Sequence, residues 1–246
     1  MLSEAEFGFK VEIVHVMRLF WKNKQLQIEI IKQKGNGIMI KIGKIVMGSV
    51  QTNCYFLYQE DKNKIIVVDP ADKGEYLYNA FKEAGFEVAA ILLTHAHFDH
   101  IWGCNKLREL SGVQVFAYED EKELCESAKL NVSEDVGRPY TVTVDWYLRD
   151  GEKVTIEGME FTVIATPGHT QGSCCYYFEN DKILVSGDTL FEGSVGRTDL
   201  PTGNGRILSN SLKNRLMVLP EDVNVFPGHG DSTTIGDEKK YNPFCK

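Results

Sequence analysis

The sequence predicts an α+β protein built in layers. Two strand-rich halves, 38–69 and 153–188, each read as short apolar runs joined by turns. Segments with helical spacing lie between and after them. The continuous apolar run VAAILLT, suited to a buried strand, passes directly into the polar segment THAHFDH. Strands in two groups with helices between them pack as α+β layers. With 246 residues, 43% hydrophobic and 25% charged, the chain is expected to form one domain plus a small appendage.

In chain order, residues 1–37 form that appendage. VEIVHVMRLFW and LQIEIIKQ fit two strands or one amphipathic helix, and periodicity does not separate these. Gly35-Asn36-Gly37 marks a linker, and the main domain is expected over 38–246. IMIKIGKIV, NCYFLYQ and IIVVDP then read as strands, with a turn at Glu60–Asn63. Leu77, Ala80, Phe81 and Ala84 give a helix over Gly74–Ala84 that Gly85 ends. After THAHFDH come a helix at Asn105–Leu110, the strand VQVFAY, a helix over Glu119–Ala128 with one charge-rich face, and weaker local order up to Val142. The strands KVTIEG, MEFTVIATP, SCCYYFE and KILVSGD follow, then a helix from about Arg206 to Val218 and a last strand, VNVFPG.

Charge narrows the function classes. The net charge is −8, with the first 36 residues at +2 and the rest at −10, which opposes attraction to nucleic acid or anionic lipid. No uninterrupted apolar stretch of about 18 residues exists, so no membrane partner is expected. Six cysteines without a C-x-x-C pair read as reduced thiols. The acidic start MLSEAEFGFK is unlike a secretory signal, so a cytoplasmic protein is expected.

Five of the six histidines fall in three short segments: His95, His97 and His100 in THAHFDH, His169 in TPGHT and His229 in PGHG. In extended geometry His95 and His97 share a side, and the following turn lets Asp99 and His100 face a neighbouring position. That spacing suits two ions better than one. Imidazole and carboxylate ligands without cysteine suit zinc, iron or manganese at a catalytic rather than a structural site. A lone His, such as His15, is better read as structural. Cys174 and Cys175 are assigned to packing, because alternation puts at least one of them in the core. Asp188 in LVSGDTLF and Asp69 in VVDP read either as ordinary turn residues or, for Asp69, as a group holding a ligand histidine.

Together VVDP, THAHFDH, TPGHT, SGDTLF, GSVGRTDL and PGHG resemble the metallo-β-lactamase-fold hydrolases, specifically the glyoxalase II-like (hydroxyacylglutathione hydrolase-like) branch, from about Met39 to the C-terminus. The resemblance implies a four-layer αβ/βα sandwich with metals at one edge of the sheets. It assigns His95, His97 and His169 to a first metal, Asp99, His100 and His229 to a second, and Asp188 as the bridge. Two divalent ions are expected, zinc first and iron or manganese as the other candidates. A bridging hydroxide would attack a thioester, with Asp99 orienting the water and Asp69 the ligands.

Where glyoxalase II grips glutathione with a Lys and a Tyr, this chain has Arg197 and Asp199. Only 17 residues follow His229, so the family's C-terminal helical domain is not expected here. Arg197 is a candidate contact for an anionic substrate group, or else a loop partner of Asp199. The expected partner is a small-molecule thioester, and the expected assembly a monomer or homodimer. The G-R-T-D run also resembles persulfide dioxygenases, which leaves a mononuclear iron enzyme as an alternative, beside a non-catalytic metal-binding protein. A β-lactamase is disfavoured because Asp188 stands where those enzymes usually carry a thiol or serine. The RNA-processing branch is disfavoured by the acidic charge and the absence of its large insertion.

Overall fold

The computed structural model describes residues 40–60 and 62–246; the expected appendage at 1–37 lies outside the described residues. Two six-stranded sheets face each other. The first has the order β1 (Ile40–Met47), β2 (Thr52–Gln59), β3 (Lys64–Val68), β4 (Glu87–Leu92), β5 (Gln114–Tyr118), β6 (Trp146–Leu148). The second runs from β14 (Thr233–Thr234) through β13 (Asn224–Pro227), β10 (Ile183–Gly187), β9 (Cys174–Phe178) and β8 (Met159–Ala165) to β7 (Lys153–Ile156). A small hairpin, β11 (Leu190–Phe191) with β12 (Ser194–Val195), stands apart.

Alternation along each strand sorts the side chains into three apolar cores. In β9, Cys174, Tyr176 and Phe178 point between the sheets, where they meet Phe161, Leu57, Val68 and Leu92. Cys175 and Tyr177 point outward and join Leu208, Leu212 and Leu216. On the outer face of the first sheet, Val67, Ile91 and Val115 are covered by Leu77 and Phe81 of α1 (Gly74–Glu83) and by Leu107 of α3 (Cys104–Ser111). The layers are therefore helix, sheet, sheet, helix, as expected. Both cysteines at 174–175 are fully buried packing residues.

Helix α1 ends within one residue of its expected limit. Gly85 takes φ +78° there, and the Phe86 N–H donates to the Phe81 carbonyl. Elsewhere the structure corrects the sequence reading. The expected helix Glu119–Ala128 is a 3₁₀ turn, Glu119–Glu121, followed by the short α4, Lys122–Glu126, and Glu121 lies buried despite its charged neighbours. The expected helix Arg206–Val218 is α5 (Gly205–Ser211) running into a π turn at Leu212–Leu216. Among the described residues, several short elements escaped prediction, including α2 (Phe98–Ile101), β6, β11, β12, β14 and α6 (Ile235–Tyr241). Most are two to four residues long, below the length at which a hydrophobic period is readable.

Strand direction decides where the polar loops gather. β3 and β4 are parallel, β10 and β13 are parallel, and β8 runs with β10 because each is antiparallel to β9. The C-terminal ends of β3 and β4 in one sheet, and of β8, β10 and β13 in the other, release Asp69, the THAHFDH loop, His169, Asp188 and His229. Thr52, opening β2, forms an isolated bridge with His229, so these loops of the two sheets meet at one edge.

Candidate metal centre

All seven candidate ligands converge there. The ligand-type atoms of His95, His97 and His169 lie within 4.8 Å of one another, as do those of Asp99, His100 and His229. In the first triad, His95 Nε2 and His169 Nε2 stand 3.2 Å apart, and His97 Nδ1 is 2.9 Å from His169 Nε2. Tetrahedral nitrogens at zinc-like bond lengths of about 2.0–2.1 Å would be about 3.3 Å apart, so the spacing suits a small cation. Asp188 joins the two triads. Its Oδ2 lies 3.6 Å from His169 Nε2 and 3.5 Å from His229 Nε2, and its Oδ1 is 3.4 Å from His100 Nε2.

Three imidazoles have their far nitrogen tied outward, which aims Nε2 at the centre. His100 Nδ1 donates to Asp69 Oδ2 at 2.9 Å, His169 Nδ1 to the Arg197 carbonyl at 2.7 Å, and His229 Nδ1 to the Val50 carbonyl at 3.2 Å. Such outer hydrogen bonds fix the tautomer a ligand needs. Asp69 is itself held by the Thr94 N–H and hydroxyl, and it adopts φ +52°, a left-handed conformation that Asp tolerates better than most residues. Thr52 donates its hydroxyl to Asp99 Oδ2. His100 Nε2 and Asp188 Oδ1, 3.4 Å apart, are buried without any hydrogen-bond partner. An unmet buried polar atom costs about 1–3 kcal/mol, so two at one point fit a cation-binding centre. The donor set therefore fits two divalent cations.

Electrostatics divides the halves. Burial, reinforced by neighbouring imidazoles, holds His95 and His97 below the usual histidine range, in the neutral form that ligates. Burial also opposes charge on His100 and His229, but carboxylates outweigh it. Asp99, Asp188 and Asp69 raise His100 well above its ordinary value, while Asp188 and Asp99 bring His229 to about 9. Burial pushes Asp99 and Asp188 upward, yet His100 and His229 hold both below the usual carboxylate range. The second half is thus an environment built for positive charge. It is also the open side: the His229 side chain is 27% exposed, while His95, His97 and His169 of the first triad are all buried. Phe191, on the hairpin, borders it with its ring 6.2 Å from His229.

The Arg197 guanidinium is engaged by Asp199, through Nε at 2.7 Å and Nη2 at 2.6 Å, on the surface. Sequence reasoning missed Thr52, Thr94 and Glu121. Glu121 is fully buried beside the first triad, where burial raises its carboxyl to about 7 against three hydrogen-bond donors that lower it. Its partners are 25, 49 and 51 residues away, so no local pattern marks it.

Comparison with known proteins agrees with this geometry. The family described as Metallo-beta-lactamase superfamily matches residues 47–229. The hydroxyacylglutathione hydrolase GloC of Haemophilus influenzae is 33% identical over 207 residues, covering 81% of this chain and 95% of that protein. Among solved structures, the BLEG-1 B3 metallo-beta-lactamase is 39% identical with a TM-score of 0.79, covering 83% of this chain and 99% of that one. TTHA1623 in a di-iron-bound form is 35% identical with a TM-score of 0.74, covering 82% and 98%. Among the described residues, no helix is long and apolar enough to cross a membrane. With most of its length matched and every one of those loops gathered at one sheet edge, the chain belongs to the metallo-beta-lactamase superfamily.

Proposed function

We propose that the protein is a dinuclear-metal hydrolase of small thioesters, similar to hydroxyacylglutathione hydrolases. The observation that carries the reading is the Asp188 carboxylate, placed between two complete ligand triads. Zinc and iron both suit this donor set, and a similar chain has been seen with two irons. When bound, a pair of divalent cations supplies Lewis acidity towards a carbonyl oxygen and lowers the pKa of a water to about 7. His95, His97, His169, Asp99, His100, His229 and Asp188 would hold that pair. Asp99, fixed by Thr52 on the open side, orients the attacking water. Asp69 holds His100 in its ligating tautomer. A thiolate departs without help from a strong protein acid. Phe191 gives the mouth an apolar wall for the acyl group.

The complete second triad weighs against the mononuclear persulfide dioxygenase and against a centre of one cation. A second reading, hydrolysis of a β-lactam, is favoured by the likeness to the BLEG-1 enzyme. The test counts zinc, iron and manganese in purified protein and assays S-lactoylglutathione, simpler thioesters and a chromogenic β-lactam on the same sample. About two metals per chain with chelator-sensitive thioester cleavage is expected. Cleavage of the lactam alone would transfer the assignment to the second reading. Near one iron, with oxygen uptake on a persulfide, would overturn both.

A further inference from the structure

Glu121 lies outside every motif above, yet its carboxylate joins the two loops that carry the first triad. Oε1 accepts from the Ala96 N–H at 2.7 Å, between His95 and His97. Oε2 accepts from Thr170 Oγ1 at 2.8 Å and from the Gly172 N–H at 3.0 Å, on the loop that carries His169. The side chain is 1% exposed and all three bonds are buried. The loop is shaped to reach it: a Cβ on Gly172 would lie 2.1 Å from the Glu121 backbone nitrogen, so only glycine allows the approach. Ser173 Oγ accepts from the Thr170 N–H at 3.0 Å and lies 2.7 Å from Thr170 Oγ1, which sets the hydroxyl's direction.

We propose that Glu121 is a positioning residue for the first cation: one buried carboxylate that fixes the spacing between the His95–His97 loop and the His169 loop. No comparable bond links Glu121 to Asp99, His100 or His229. The second triad is held instead by Asp69, Thr52 and the Val50 carbonyl. The clamp should therefore act on one cation and spare the other. This inference rests on the two-metal reading above, but not on the thioester.

The experiment is a stepwise titration of metal-free protein with zinc against a chromophoric chelator, and with cobalt(II) followed by its electronic absorption, in wild type and Glu121→Gln. Gln keeps the size and one acceptor, but its NH₂ must face either the Ala96 N–H or the Gly172 N–H, each a donor that cannot accept. Weakening a partner in the outer shell costs about ten- to a hundredfold in metal affinity, and that loss is expected for one cation only, with a changed cobalt spectrum. Thr170→Val removes one of the three donors and should give a smaller loss of the same kind, while Thr170→Ser restores wild-type uptake. This pair reads the clamp even if the Glu121 variant does not fold. Lower thermal stability with both affinities unchanged would overturn the positioning role and leave the metal reading intact. Wild-type protein that takes up no metal would overturn both.

Discussion

Asp69 illustrates how one side chain decides what a neighbour can bind. Its Oδ2 accepts the His100 Nδ1 proton, so Nε2 is the nitrogen turned to the centre and the one whose lone pair a cation would take in place of a proton. In Asp69→Asn, the amide can keep the Thr94 N–H bond only by turning its NH₂ towards His100. His100 then accepts at Nδ1 and carries its proton on Nε2, aimed where the second cation belongs. Uptake of the second cation should weaken about ten- to a hundredfold in a metal titration, with the first nearly unchanged; equal uptake would remove the tautomer argument. Glu121 yields a prediction of opposite kind. Burial raises its carboxyl from 4.5 to about 7, so between those values the folded metal-free protein binds a proton that the unfolded chain has lost. Stability contributed by the neutral form is complete below pH 4.5 and is lost as pH rises through 7. Relative to Glu121→Gln, metal-free wild type should lose about 3 kcal/mol across that window. Urea unfolding of the two proteins in a pH series measures it, and parallel curves would refute it. The contrast between these residues also marks what was legible. The seven ligands and Asp69 sit in compact motifs where residue type and turn context coincide. Glu121 looks like any acidic residue on a charged stretch until the fold buries it.

Among the elements, the C-terminal segment departs most from its reading. Past the last expected strand, VNVFPG, the sequence predicts no further element, yet β14, two residues long, and α6, seven, follow there. Their effect comes from packing that no local pattern shows. Glu238 of α6 is buried, and its Oε2 accepts from the Gly193 N–H at 3.0 Å and from Asn242 Nδ2 at 2.7 Å. Its Oε1 accepts from Thr233 Oγ1, and Asn242 also donates to the Ser194 carbonyl at 3.0 Å. Helix α6 therefore pins the β11–β12 hairpin, which begins two residues after Asp188 and carries Phe191. Glu238→Ala should destabilise the protein by about 2–3 kcal/mol, since it strands buried donors at about 1–3 kcal/mol each. A urea midpoint within about 0.5 kcal/mol of wild type, the range of a plain surface change, would show the hairpin to be held otherwise. The longer elements were readable for the converse reason. Helix α1 shows its buried face in Leu77, Ala80 and Phe81, and the strands of both halves carry continuous apolar runs. Order across the sheets and the pairing of the halves depend on contacts distant in sequence, which only the structure supplies.

At the scale of the whole molecule, the centre is a seam between two sheets that otherwise meet through apolar side chains. His95, His97, Asp99 and His100 extend from the first sheet, and His169, Asp188 and His229 from the second. Each triad takes ligands from both, so a cation in either one ties the halves together. The three apolar cores contain none of these residues. They should keep the metal-free protein folded, with the sandwich intact but open to strain along the seam. Free cation at 100 times its dissociation constant stabilises a folded state by about 2.7 kcal/mol, and at 1,000 times by about 4.1 kcal/mol, provided the unfolded chain binds none. Removal of metal by a chelator is therefore expected to abolish hydrolysis and lower the unfolding free energy by about 3–4 kcal/mol per tightly held site, with the urea m-value unchanged. Far-ultraviolet circular dichroism should stay near that of the loaded protein. A metal-free chain without a cooperative transition would mean that the seam, rather than the three cores, holds the two sheets together. An unchanged midpoint would mean that the folded chain holds the cations no more tightly than the unfolded one, contrary to a centre built by the fold.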